Sequence, residues 1–260
     1  MTAIPSPAAS APLAYDDYRK SHEGKGWDYH RKFEQFPVRV ALWKAERQIL
    51  AEVIARHLDD PGGASALDFA CGTGRVAAFL EERVGRVTGV DIAASMLEVA
   101  GEVTRNAELH CADLTRDDVL GDHRFDLITA FRFFPNAEPA LRDAVMAVLV
   151  RHLAPGGILV FNNHIRHAGT TMRLRRLATR FGRRKGDRDL FSMRDAEVEA
   201  LLRRHGLRGV ERHHAGIVPV LKEKRSLVPL SWLDAIEAWS RDRAMVAGIA
   251  NDVVHVAESA

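Results

Sequence analysis

Apolar residues recur along this chain with two spacings that alternate. Leu42, Ala45, Ile49 and Val53 repeat at helical spacing to about Leu58, which predicts a helix, and Asp60-Pro61-Gly62-Gly63 breaks it. A short apolar run over 66–69 then predicts a strand. It is followed by a small-residue turn, Ala70-Cys71-Gly72-Thr73-Gly74, and by a helix with Val76, Phe79 and Leu80 on one face. Further strands are expected over 87–91, 108–114 and 125–131. Residues 153–161 read as a helix stop, a Pro-Gly-Gly turn and a fifth strand. Residues 195–205 are again helical, with Gly206 suited to the stop. Residues 208–220 read as a strand, 231–243 as a helix and 251–257 as a last strand. The alternation predicts an open α/β sheet.

Strand, acid, glycine turn and helix is the layout of a nucleotide-type cofactor site. Glycines take backbone angles closed to other residues and let the backbone approach a ligand. The helix start behind them presents free N–H groups. Gly72-x-Gly74-x-x-Ala77 satisfies the dinucleotide pattern, and Asp91 stands close to the ~20 residues downstream expected of it. Asp68 points elsewhere. A carboxylate just before the turn repels a pyrophosphate and suits an ammonium. S-adenosylmethionine carries an ammonium, a sulfonium and an adenosine, and no phosphate.

Two more acids close the next two strands. Asp91 ends the second, where it can accept both ribose hydroxyls. Asp113 ends the third, placed to accept from an adenine amino group. Ligands of open α/β sheets gather at the carboxyl ends of the strands, so three acids at three successive strand ends are a more specific signal than the glycines.

The segments 67–74, 89–97, 112–114 and 153–157 together resemble the class I S-adenosylmethionine-dependent methyltransferases, especially the small-molecule branch, over roughly residues 60–165. The resemblance implies a Rossmann-like, seven-stranded, mostly parallel sheet with its last strand antiparallel, helices on both faces and a small helical cap. It implies S-adenosylmethionine as cofactor. Asp68, Ala70, Gly72 and Gly74 would form the turn at the methionine end. Asp91, Ile92 and Met96 would hold the ribose and one adenine face, Asp113 and Leu114 the adenine edge, and Phe131 would lie near the fourth strand end. Ala70 stands where the family often has glycine.

The 260 residues allow one large domain or a domain with a cap, and 47% hydrophobic residues suffice for a core. A net charge of +2 argues against a nucleic-acid partner, as does Phe131-Arg132-Phe133-Phe134-Pro135, which lacks the Asn/Asp-Pro-Pro-aromatic signature of many base methylating relatives. The two cysteines, Cys71 and Cys111, fall in elements expected to be buried. They read as free thiols of a reducing compartment and argue against zinc. No run approaches the ~18 apolar residues of a spanning helix, and a cytoplasmic location is expected. Residues 1–13, rich in Ala, Pro and Ser, read as a disordered leader rather than a signal peptide. Residues 14–37 read as an N-terminal lid closed by Pro37, with Tyr18 the expected cofactor contact. Residues 38–260 read as the methyltransferase domain, with a cap insertion at about 165–190.

Methyl transfer from a sulfonium needs alignment and exclusion of water, and a base only where the acceptor is protonated. His164, at the end of the fifth strand, is the candidate base. Asn162 and Asn163 raise magnesium, but no carboxylate stands beside them, and no metal is expected. From Arg166 to Arg188 a basic amphipathic run places Leu174, Leu177, Ala178 and Phe181 on one face. It reads as a cap over an anionic acceptor, as a solvated helix, or as a surface for membranes. The function expected is methyl transfer to an oxygen of a small metabolite with an acidic or lipid portion. A small amine acceptor, a nicotinamide-dependent oxidoreductase and a non-catalytic S-adenosylmethionine-binding protein are the alternatives.

Overall fold

The computed structural model describes residues 24, 26–164, 166–180, 193–218, 229–240 and 243–260. The expected leader, Tyr18, and residues 181–188 of the basic run lie outside them.

Two helices precede the sheet, α1 (Gly26–Gln35) and α2 (Pro37–His57). Pro37 opens α2 rather than closing the segment before it. Its fixed φ and missing N–H suit the first turn of a helix. The sheet strands are β1 (Ser65–Phe69), β2 (Arg86–Asp91), β3 (Glu108–Cys111), β4 (Phe125–Ala130), β5 (Leu153–Asn162), β6 (Leu207–Ala215) and β7 (Asp252–Ser259). They run in the order β3-β2-β1-β4-β5-β7-β6, and β7 lies antiparallel to both β5 and β6. Between them run α3 (Arg75–Leu80), α4 (Ala94–Val103), α5 (Pro139–Arg151), α6 (Thr170–Arg180), α7 (Asp195–Arg204), α8 (Leu230–Ser240) and α9 (Ala244–Ala247).

The central strands are apolar at nearly every position because both faces are covered. Ala66, Leu127, Ile158 and Val160 pack with Ile49, Leu50 and Val53 of α2 and with Phe79 and Leu80 around α3. Their chain neighbours Leu67, Ile128, Leu159 and Phe161 face the opposite side, toward Val145, Met146 and Leu149 of α5 and Leu201 of α7. This is strand alternation resolved into two cores. The chain order reverses between β1 and β4, so a crevice opens at their carboxyl ends.

Several expected boundaries move. The third strand stops at Cys111. The N–H of Asp113 donates to Asp117, and the Asp113 carboxylate accepts from Thr115, which turns the chain out of the ladder. Cys111 is exposed, not buried, because β3 is an edge strand; Cys71 is buried, and both are free. The segment expected as a lid is helical over Gly26–Gln35. In α6 the expected apolar face is open to solvent at Leu174 and Leu177, 41% and 50% exposed. That helix is anchored at its start, where Thr170 and Thr171 donate to the Asn251 side chain. No helix among the described residues is long and apolar enough to cross a membrane.

Candidate active site

The turn after β1 is shaped by left-handed backbone. Gly72 has φ +56° and Gly74 φ +74°, and a Cβ on Gly74 would lie 3.0 Å from Ala100 of α4. Ala70 also sits at positive φ, +54°, a conformation that costs an L-residue roughly 1–2 kcal/mol. Asp91 at the end of β2 locks the turn by accepting from the N–H of Gly72 at 2.8 Å and from that of Ala93 at 2.9 Å.

A cleft of about 90 Å³ lies over this turn. Ala70, Gly72, Asp91, Ile92, Met96, Asp113, Leu114 and Phe131 all line it, so eight of the residues singled out in the sequence converge there from four strand ends. Gly74 and Asp68 do not reach its wall. Asp68 lies beneath the turn, 1% exposed, with Oδ1 accepting from the Thr129 hydroxyl at 2.8 Å. Its Oδ2 is buried without a hydrogen-bond partner. Burial pushes its carboxyl up to about 7, against the opposing pull of the Thr129 hydrogen bond and of Arg75. The backbone N–H of Ala77 also pulls it down.

The cleft shares Tyr29, Arg132 and Asn136 with a larger cavity of about 340 Å³, within the size range of small-molecule sites. His164 lines the larger cavity. Its Nε2 stands 3.5 Å from the Asn136 amide, and its Nδ1 is buried with no hydrogen-bond partner. Burial first, then the charges of Arg132 and Arg39, hold this imidazole well below the usual histidine range. It is therefore neutral at pH 7. Among the other described histidines, His167 meets Arg176, His110 meets Glu108 at 3.0 Å and His213 meets Glu211 at 2.7 Å.

Asn162 and Asn163 are buried and hydrogen-bonded within the fold. Asn162 accepts the Arg132 N–H at 2.6 Å and donates to Glu46 at 3.0 Å and to Asp252 at 2.9 Å. This holds Arg132 at φ +61°, where its side chain reaches both cavities. Among the described residues no group of three His, Cys, Asp or Glu could hold a metal ion. Arg39, Tyr29 and Arg132 were missed in the sequence. Arg132 had one local signal, a cation between two phenylalanines directly after the fourth strand; Tyr29 lies in the aromatic segment expected as a lid, and Arg39 had none.

Residues 66–157 match the family described as "Methyltransferase domain". The dTDP-3-amino-3,6-dideoxy-alpha-D-glucopyranose N,N-dimethyltransferase of Streptomyces fradiae is 35% identical over 161 residues, covering 61% of this chain and 56% of that protein. A dTDP-4-amino-2,3,4,6-tetradeoxy-D-glucose N,N-dimethyltransferase of Saccharopolyspora spinosa is 32% identical over 120 residues, 45% of this chain and 47% of that protein. The chain thus spans about half the length of these curated relatives. Among solved structures, the magnesium protoporphyrin IX methyltransferase of Synechocystis PCC 6803 with bound S-adenosylhomocysteine superposes with a TM-score of 0.65 at 14% identity, covering 93% of this chain and 98% of that one. The chain has the Rossmann-like fold of the class I methyltransferases. Over residues 66–157 it is similar to the methyltransferase-domain family.

Proposed function

We propose that this protein transfers a methyl group from S-adenosylmethionine to a small-molecule acceptor. The observation that carries this reading is Asp68, a buried carboxylate with one oxygen lacking a hydrogen-bond partner, beside the glycine turn whose Ala70 and Gly72 line the smaller cleft. The cofactor would lie along the turn. Asp68 would face the ammonium, Asp91 the ribose, and Asp113 and Leu114 the adenine edge, with Met96 and Phe131 packing against it. When bound, the cofactor supplies an electrophilic methyl carbon, and transfer forms the bond from acceptor to methyl while the sulfur keeps the electron pair of the broken bond.

The acceptor occupies the larger cavity, with its nucleophile at the shared wall of Tyr29, Arg132 and Asn136. His164 accepts the proton an acceptor hydroxyl loses. Its neutrality at pH 7 keeps that lone pair available, and burial excludes competing water. Oxygen transfer to a metabolite with an acidic portion is the reading this cavity supports. Nitrogen transfer is the second reading, favoured by the printed activities of the two aminosugar dimethyltransferases. There an amine must shed its ammonium proton before attack, and His164 serves in the same way.

The test is calorimetry with S-adenosylmethionine, S-adenosylhomocysteine and NAD, followed by incubation of cell extracts with a labelled methyl donor and mass identification of the product. Binding of the first two ligands and not NAD is expected. NAD binding alone would overturn the reading in favour of an oxidoreductase. Cofactor binding with no product from any extract would favour a non-catalytic binding protein.

A further inference from the structure

We propose that Asn136 selects the acceptor nucleophile. Its carboxamide oxygen accepts a hydrogen bond from the attacking group, so that group is an amine or a hydroxyl and not a carboxylate. The proposal rests on the methyltransferase reading only for calling the ligand an acceptor.

Asn136 stands where the two cavities meet, since it lines the cleft over the glycine turn and the larger cavity alike. It closes a single 3-10 turn, Phe134–Asn136, beyond β4, and the fixed φ of Pro135 stiffens that turn. Its backbone N–H donates to the Phe133 carbonyl at 2.9 Å.

A run of polar contacts then sets its side chain. The run begins in the core with Glu46 and Asp252, both fully buried. Their carboxyl oxygens accept from Asn162 Nδ2 at 3.0 and 2.9 Å. The Asn162 amide therefore cannot turn over, and its Oδ1 accepts the Arg132 backbone N–H at 2.6 Å. The Arg132 carbonyl in turn accepts from Asn136 Nδ2 at 2.6 Å. Arg132 holds φ +61°, a left-handed conformation uncommon for a residue with a side chain. Such backbone persists where its surroundings over-determine it, and it clusters at functional sites. Here two side-chain amides grip one residue, at its N–H and at its carbonyl.

A carbonyl oxygen only accepts, so the bond to Arg132 fixes Asn136 with Nδ2 inward. Nδ2 also faces Nε2 of His164 at 3.5 Å. Oδ1 is then the polar atom this side chain offers to the cavities. An amide oxygen pairs with an amine N–H or a hydroxyl O–H. It repels a carboxylate, and an ether or a fully substituted amine leaves it without a donor. A site built to hydrogen-bond an N–H or O–H rejects the analogue that lacks it, because the site's own polar group is left unpaired. The bond also orients the nucleophile, holding its hydrogen on one side and leaving a lone pair for the methyl carbon. Asn136 and His164 are neighbours, so the group held at Oδ1 lies beside the base. Val38, Leu42, Met172 and Leu233 give the larger cavity apolar wall, which suits a ring-sized body behind the nucleophile.

The experiment titrates the full chain, saturated with S-adenosylhomocysteine, with aniline, phenol, N,N-dimethylaniline, anisole and benzoate in separate calorimetric runs. Aniline or phenol should bind, and its methylated counterpart should bind roughly tenfold more weakly. The tighter of the two parents tells an amine acceptor from a hydroxyl one. Benzoate should bind no better than anisole. In Asn136→Ala, saturated in the same way, the preference for the parent over its methylated counterpart should fall below about threefold. That ratio is the readout, because a merely structural change at Asn136 would weaken both members of a pair alike. Wild-type protein that binds the methylated compounds as tightly as their parents would overturn the proposal. So would a preference that survives in Asn136→Ala, by moving the recognition to another wall. Tighter binding of benzoate than of either parent would overturn it in favour of a carboxylate acceptor. No binding of any probe to protein that holds S-adenosylhomocysteine would overturn it and leave the methyltransferase reading intact. Failure of S-adenosylhomocysteine itself to bind would count against the methyltransferase reading, and the proposal would fall with it.

Discussion

Asp68→Asn offers the sharpest test of the cofactor site, because the group it alters is poised to titrate. Burial raises the carboxyl from 3.8 to about 7. The sign follows from linkage. Below about pH 4 the acid is protonated in folded and unfolded chain alike and contributes nothing. As pH rises the unfolded chain ionises first, so the ligand-free fold is penalised progressively, by on the order of 4 kcal/mol once pH exceeds 7. Removing the titration should therefore raise the melting temperature of the ligand-free protein at pH 8 and leave it unchanged at pH 4. Asparagine can still accept the Thr129 hydroxyl, so the fold keeps that bond. Cofactor binding should show the converse. An ammonium beside Asp68 lowers its pKa by roughly 1–3 units, so binding must expel the proton. About half a proton should leave at pH 7, and affinity should fall roughly tenfold from pH 8 to pH 6. Calorimetry with S-adenosylhomocysteine in buffers of different ionisation enthalpy measures both. The ligand's own amine titrates as well, so the quantity that counts is the difference between wild type and Asp68→Asn. Identical proton release and identical pH dependence in the two proteins would refute the placement of the ammonium at Asp68.

Three further outcomes are expected. Ala70→Gly should relieve the strain of φ +54° and stabilise the protein by about 1 kcal/mol, read as a higher urea midpoint with unchanged slope. Asp91→Ala should weaken S-adenosylmethionine by about 1.5–3 kcal/mol, since it removes both the expected ribose acceptor and the brace on the Gly72 N–H; unchanged affinity would remove Asp91 from the site. With the true acceptor, His164→Gln should lower turnover by ~10²–10⁴ and leave cofactor affinity nearly unchanged. The wild-type profile of kcat/KM should lose activity on the acid side only below the ordinary histidine range, because the folded imidazole resists protonation. A loss below tenfold at every pH from 6 to 9 would leave His164 a structural residue.

What the sequence determined by itself is the part of the site made from local order. A strand end, its acid and the turn behind it are neighbours in the chain, so Asp68 and Asp91 could be placed at two carboxyl ends and Asp113 close beyond a third from local order, with Gly72 in the turn, whereas Ile92 and Met96 came from the resemblance to the methyltransferases. The βα alternation set the sheet for the same reason: a period of two or of 3.6 is written in adjacent residues. Only the tertiary structure decided the rest. Cys111 is exposed because its strand became an edge, a property of sheet order rather than of the strand. The basic run suggested a cap over an anionic acceptor, whereas the cations whose charge acts on His164 are Arg39 and Arg132, drawn from α2 and the turn after β4 around Phe33 of α1. Arg132 is 93 positions from Arg39 and 99 from Phe33, and no local pattern links them. The ionisation of Asp68 likewise exists only in the fold. The same residue type is an ordinary carboxylate on an exposed turn and, buried at the end of β1 with one oxygen lacking a hydrogen-bond partner, a group that titrates near neutrality, because burial withdraws the water that would stabilise its charge.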